Sequence, residues 1–83
     1  MNETIRELLG RVGGLPVAVA DLADDADLYA AGLSSFASVQ LMLAIEEAFD
    51  IEFPDSLLNR KSFASIAAIE ATVSQIIKSR EAA

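Results

Sequence analysis

The chain contains no cysteine and no histidine. Disulfides, thiolate metal sites, cysteine nucleophiles and every catalytic scheme built on imidazole are thereby excluded. Aromatic residues are few: Tyr29, Phe36, Phe49, Phe53 and Phe63 are the whole set, so any core must be mainly aliphatic. No apolar run approaches the ~18 residues that signal a membrane span. The N-terminal stretch from Met1 to Gly14 lacks the basic-then-apolar order of a secretory signal. The expectation is a cytoplasmic protein with no membrane association.

Positive charge is also scarce. Six Lys and Arg face thirteen Asp and Glu, a net charge of −7. From Asp21 to Asp55 there are nine acids (Asp21, Asp24, Asp25, Asp27, Glu46, Glu47, Asp50, Glu52, Asp55) and no basic residue. Phosphate backbones need a basic face, so nucleic acid is excluded as a partner. A basic surface on a partner protein is the natural complement, although acidity also keeps a small domain soluble. Eighty-three residues allow one domain, and the 53% hydrophobic content favours a folded chain over a disordered one.

Hydrophobic periodicity divides the chain. Ile5, Leu8, Leu9 and Val12 recur at i, i+3, i+4, i+7, which predicts an amphipathic helix over Asn2 to Val12, with Asn2 or Thr4 as cap. Gly13, Gly14 and Pro16 stop it. No helical period persists from Leu15 to Ser34; a short helical turn is expected around Asp25–Ala30. Loops of about twenty residues are uncommon in compact domains and usually functional. Ser34 or Ser35 then caps the strongest helix, which runs to Phe49 and is apolar on most sides, with Leu41, Ile45 and Phe49 on the core face. Asp50 to Pro54 breaks it. Asp55 is expected to cap a single turn over Ser56 to Arg60, and Ser65 to cap a final helix carrying Ile66, Ile69, Val73, Ile76 and Ile77. Its tail fades over Glu81 to Ala83. The expected class is all-α: a small bundle of three main helices plus one short helix, with a long loop between the first two.

Catalytic constellations are missing. The pairs Asp24/Asp25 and Glu46/Glu47 are chain neighbours, which on a helix point about 100° apart. A serine nucleophile would lack an ordinary base. The acids from Asp21 to Asp27 lack the spacing and the closing glutamate of a calcium loop, and read as a solvated loop. No catalytic residue and no metal ligand is assigned.

Gly32-Leu33-Ser34-Ser35-Phe36 is the informative segment. Glycine permits a tight turn before the helix, and a serine at the helix start either caps it or presents a hydroxyl outward. A phosphate on that hydroxyl would meet the free N–H groups of the helix start. Together with the run Asp27-Leu28-Tyr29 before it and Ile45-Glu46-Glu47-Ala48-Phe49-Asp50-Ile51-Glu52-Phe53-Pro54 after it, the segment closely resembles the acyl and peptidyl carrier protein family. The resemblance covers Ile5 to Ile77, the expected ordered core of a single domain spanning 1–83.

That resemblance implies a 4'-phosphopantetheine arm attached at Ser35, transferred from coenzyme A by a phosphopantetheinyl transferase, holding acyl or aminoacyl cargo as a thioester. Ser34 is the other possible attachment point; Ser35 is preferred because it directly precedes the large apolar Phe36. Phe36, Val39, Gln40, Glu46 and Glu47 would form the face that meets a cargo-loading ligase or acyltransferase, and downstream enzymes, through basic docking surfaces. Val39, Met42 and Leu43 either pack in the core or line a groove for cargo.

Two departures bear on specificity. Ser34 stands where fatty-acid carriers commonly have Asp, and Ala37, Ser38 and Gln40 replace acidic positions that follow. A dedicated ligase or specialised pathway is therefore expected rather than housekeeping fatty-acid synthesis. A monomer is expected. The reading from a different class is an unmodified acidic helical interaction module, in which Gly32 to Phe36 is only a turn and cap.

Overall fold

The computed structural model describes residues 1–82; Ala83, the end of the expected 1–83 domain and of its fading tail, lies outside them. Three helices form the bundle: α1 (Asn2–Val12), α2 (Ser35–Phe49) and α3 (Ile66–Ala82). α1 buries Ile5, Leu8 and Leu9, the predicted stripe, and packs against both other helices. Leu41 and Ile45 of α2 and Ile66, Ile69 and Val73 of α3 complete the centre, with Phe49 packed at its edge. Fully burying each such side chain stabilises the fold by roughly 1.5–3 kcal/mol.

The N-terminal cap of α1 departs from expectation. Met1 occupies that position and no side chain caps it. Asn2 instead works across the fold: its Nδ2 donates to Asp24 Oδ1 at 2.9 Å and Glu70 Oε1 at 2.6 Å. Arg6 joins this network, donating from Nε to Asn2 Oδ1, from Nη1 to the Val19 carbonyl and from Nη2 to Asp24 Oδ1. The network ties the long loop to α1 and α3.

The hydrogen bonds from Asn2 and then Arg6 hold the Asp24 carboxyl below its ordinary value of 3.8. A carboxyl depressed in the folded state contributes stability above its unfolded value and loses it as pH falls through the folded one. Asp24→Asn is therefore expected to lower the urea midpoint near neutrality, and the deficit should begin to shrink as pH falls towards 3.8 and vanish once it passes the lower folded value. Paired urea titrations from pH 7 to pH 2.5 check this; a deficit that persists at the acid end contradicts it.

The loop over 13–34 is ordered by the same logic. Gly14 takes a left-handed φ of +63°, reversing the chain after α1. The helical turn expected near Asp25–Ala30 is present slightly later, opened by the Ala31 N–H donating to the Asp27 carbonyl at 3.0 Å, and a 3-10 turn at Val19–Asp21 precedes it. Leu28 is fully buried, and its N–H donates to the Ala64 carbonyl at 2.8 Å. The Ala67 N–H donates to the Asp24 carbonyl at 2.8 Å, so the loop also satisfies the first turn of α3.

α2 ends at Asp50, which is left-handed (φ 52°, ψ 52°) and donates its N–H to the Glu46 carbonyl, a common helix ending. Arg80 donates to the Asp50 carbonyl from α3. Beyond Pro54 the expected Ser56–Arg60 turn is replaced by two 3-10 turns, Asp55–Leu57 and Arg60–Phe63. Asp55 does not cap the first; Asn59 caps the second, its Oδ1 accepting the Ser62 N–H at 3.0 Å. Phe53 and Phe63 stack with centroids 5.4 Å apart, pinning this connection to the core. Ser65 caps α3 as expected, Oγ accepting the Ala68 N–H at 3.0 Å. No described helix is long and apolar enough to cross a membrane.

Candidate functional site

The segment leading to Ser35 is built as a chain of local hydrogen bonds. Asp27 Oδ1 accepts the N–H groups of Tyr29 and Ala30, and its carbonyl accepts that of Ala31. This Asx-type arrangement starts a turn, which closes when Leu33 N–H reaches the Leu28 carbonyl at 2.9 Å. Gly32 then adopts φ +118°, and a Cβ there would lie 2.9 Å from Pro16 Cδ. Backbone freedom and close approach both require glycine at this point.

Ser34 and Ser35 divide the work that the sequence leaves open between them. Ser34 is extended (φ −84°, ψ 163°), and its Oγ accepts the Ala37 N–H at 3.0 Å. It is the N-cap. Ser35 is the first helical residue, is exposed, and its hydroxyl makes no hydrogen bond among the described residues.

Ser35 lines a groove of about 400 Å³ between α2 and the segment Leu58–Phe63. Val39, Met42, Leu58 and Phe63 give it apolar walls, and Tyr29, Ser38, Asn59 and Arg60 supply its polar atoms. Val39 and Met42 are thus groove residues. Leu43 is not: it lies half exposed on another face of α2.

That other face carries most of the expected docking residues. Phe36 is 75% exposed, Val39 and Leu43 about half so, and Gln40 and Glu47 are exposed among them. At 100° per residue Phe36, Gln40, Leu43 and Glu47 fall within one narrow arc, opposite Leu41 and Ile45. Glu46 is the exception. It is half-buried, and its Oε2 accepts the Phe53 N–H at 2.8 Å, anchoring the chain after α2.

Sequence reasoning missed Tyr29, Ser38, Leu58, Asn59, Arg60 and Phe63 as groove residues. One signal was available: Arg60 and Lys61 are the first basic residues after a stretch holding nine acids.

At the start of α2 one serine hydroxyl is engaged as the cap and the next is exposed beside the groove. The sequence model described as "Phosphopantetheine attachment site" matches residues 3–73, and the chain belongs to that family of carrier proteins. It is a carrier, not an enzyme. Among its relatives, the aminoacyl carrier protein of Agrobacterium fabrum is 74% identical over 83 residues, the whole of both chains. The Agrobacterium tumefaciens carrier protein, crystallised with an engineered Bradyrhizobium japonicum glycine:[carrier protein] ligase and AMP, is 77% identical with a TM-score of 0.88, covering 89% of this chain and 99% of that one. The carrier in the complex of the Bradyrhizobium japonicum ligase with glycylated carrier protein is 32% identical with a TM-score of 0.74, covering 86% of this chain and 95% of that one.

Proposed function

We propose that the chain is an aminoacyl carrier whose phosphopantetheine sits on Ser35 and whose cargo is glycine, loaded by a dedicated ligase. The observation that carries the site is the division between the two serines: Ser34 is engaged as a cap, and Ser35 is free at the mouth of the groove. The residues fit the group, since an exposed primary hydroxyl adjoins a groove with apolar walls and a single charged lining residue, Arg60. When bound, phosphopantetheine supplies a terminal thiol that holds cargo as a thioester, chemistry this cysteine-free chain lacks. The chain's own residues position that attachment point and present it. Ser34 and the Asp27 turn fix the start of α2, and Phe36, Val39, Gln40 and Glu47 form the face that docks on partners.

The first turn of α2 contains no acid, which supports docking by apolar contact there and by charge only further along. This face suits a dedicated ligase better than enzymes that read an acidic helix start. Coenzyme A as the arm's donor fits a cytoplasmic setting, and the chain acts as a monomer that visits a phosphopantetheinyl transferase, its ligase and downstream enzymes with basic docking surfaces. Tethering raises the cargo's effective concentration at a docked enzyme into the millimolar range, so weak docking suffices.

Loading of the phosphopantetheinylated chain by a glycine:[carrier protein] ligase with ATP, followed by intact mass over a panel of amino acids, tests the cargo. Glycine is expected to load fastest; a chain that takes fatty acyl groups but no amino acid contradicts the reading. Phe36→Ala should lower kcat/KM for loading roughly thirtyfold, the loss of an aromatic anchor worth about 2 kcal/mol. The loss should fall mainly in KM.

A further inference from the structure

We infer that Arg60, whose guanidinium lies over the ring of Tyr29, is the anion-binding residue for the phosphodiester carried on Ser35. This deepens the Ser35 reading and rests on it. Three observations on the groove point the same way.

First, charge. The chain carries a net −7, yet the groove beside Ser35 has one charged lining residue, and it is a cation. No carboxylate lines it among the described residues. An arm of this chemistry has one charged part, its phosphodiester, with an aliphatic and amide body beyond. One guanidinium lining the same groove as the serine, together with apolar walls, matches that set of groups.

Second, placement. The Arg60 guanidinium carbon stands 3.9 Å from the centroid of the Tyr29 ring. Stacking on an aromatic face leaves the N–H groups at the edge of the guanidinium free to bond in its plane. Arg60 has no ion pair among the described residues. The planar fork suits the two non-bridging oxygens of a phosphodiester, where a lysine would offer only a point charge.

Third, the neighbouring polar groups are either committed or suited to a neutral arm. Asn59 spends its carbonyl oxygen on Ser62 and its Nδ2 on the Ser56 carbonyl. The Ser38 hydroxyl donates to the Ser35 carbonyl at 2.7 Å and keeps its acceptor sites for an amide N–H. Beside the N–H groups of the helix start, Arg60 is the charged lining group available to meet the anion.

The test uses the chain with its arm attached, verified by mass, and compares wild type with Arg60→Gln, Arg60→Lys and Tyr29→Phe. Arg60 is exposed and Tyr29→Phe keeps the ring that packs against the core, and thermal unfolding confirms that each variant is folded. The readouts are the phosphorus-31 shift and the nuclear Overhauser contacts between the arm's gem-dimethyl group and residues 29, 38 and 60. In wild type, Arg60 Nε–H should shift on attachment and the gem-dimethyl contacts should be present. The gem-dimethyl contacts should be lost and the phosphorus-31 shift should move to that of a solvent-exposed arm in Arg60→Gln, both changes should be partial in Arg60→Lys, and neither should occur in Tyr29→Phe, which keeps the aromatic face. Attachment that proceeds with an unmoved Arg60 Nε–H, or with contacts that survive Arg60→Gln, overturns the clamp and leaves the Ser35 reading standing. Failure of attachment to Ser35 overturns both.

Discussion

Ser35→Ala is expected to leave the bundle folded while reducing ligase-dependent cargo loading to background. The two halves of that result come from different residues. The N-terminal end of α2 is capped by Ser34, whose Oγ holds the Ala37 N–H, so removing the Ser35 hydroxyl deletes no hydrogen bond recorded among the described residues. Alanine is the best helix former and suits the first helical position. Stability should therefore change by no more than about 0.5 kcal/mol, the usual range for surface positions. The reciprocal variant separates the roles: Ser34→Ala should cost about 1 kcal/mol as a lost cap yet still load. Thermal unfolding and loading assays on both variants read the pair. Loading that survives Ser35→Ala and fails in Ser34→Ala would move the attachment point by one residue.

The second large effect is expected at Leu28, which lies in the long loop. Its side chain is fully buried among the helices, its N–H is bonded to Ala64 and its carbonyl to Leu33. Leu28→Ala should cost about 2–5 kcal/mol, the transfer term plus a cavity. At 0.05–0.15 kcal/mol per residue a chain of this length is stable by only roughly 4–12 kcal/mol, so the variant gives up a large share of it. A loss of this size lowers Tm by at least about 8 °C in a domain this small. The same substitution loosens the turn that delivers Gly32 and the two serines, so attachment at Ser35 should slow as well. Leu28→Met, which keeps the volume, should cost less than about 1.5 kcal/mol. Calorimetry and urea unfolding distinguish these outcomes; an Ala variant as stable as wild type would show that the loop is not part of the core.

What could be read from the residues divides along physical lines. The bounds of α1 and α2 were legible because their apolar spacing is strong and Gly13-Gly14 and Asp50 to Pro54 are clear stops. Two serines at the start of α2 were legible as cap and candidate attachment point, since both roles ask for the same residue type. Which of the two caps the helix appears only when Oγ of Ser34 is placed against the Ala37 N–H. Neither Asn2 nor Thr4 caps α1, and the role of Asn2 was not legible because its partners, Asp24 and Glu70, are 22 and 68 residues away. Glu46 reads as a docking acid from its sequence position, and nothing local announces its bond to Phe53. The turn at Arg60–Phe63 was missed although Asn59 three residues before Ser62 is a capping pattern. The groove itself joins Tyr29, α2 and Arg60, segments that only the tertiary packing brings together.

The most direct test of the carrier account is intact-protein mass spectrometry after incubation with coenzyme A and a broad-specificity phosphopantetheinyl transferase. The account predicts a gain of one phosphopantetheine in wild type and in Ser34→Ala, and none in Ser35→Ala. A wild-type chain that gains nothing with several transferases would contradict it, leaving an acidic helical interaction module that carries no arm.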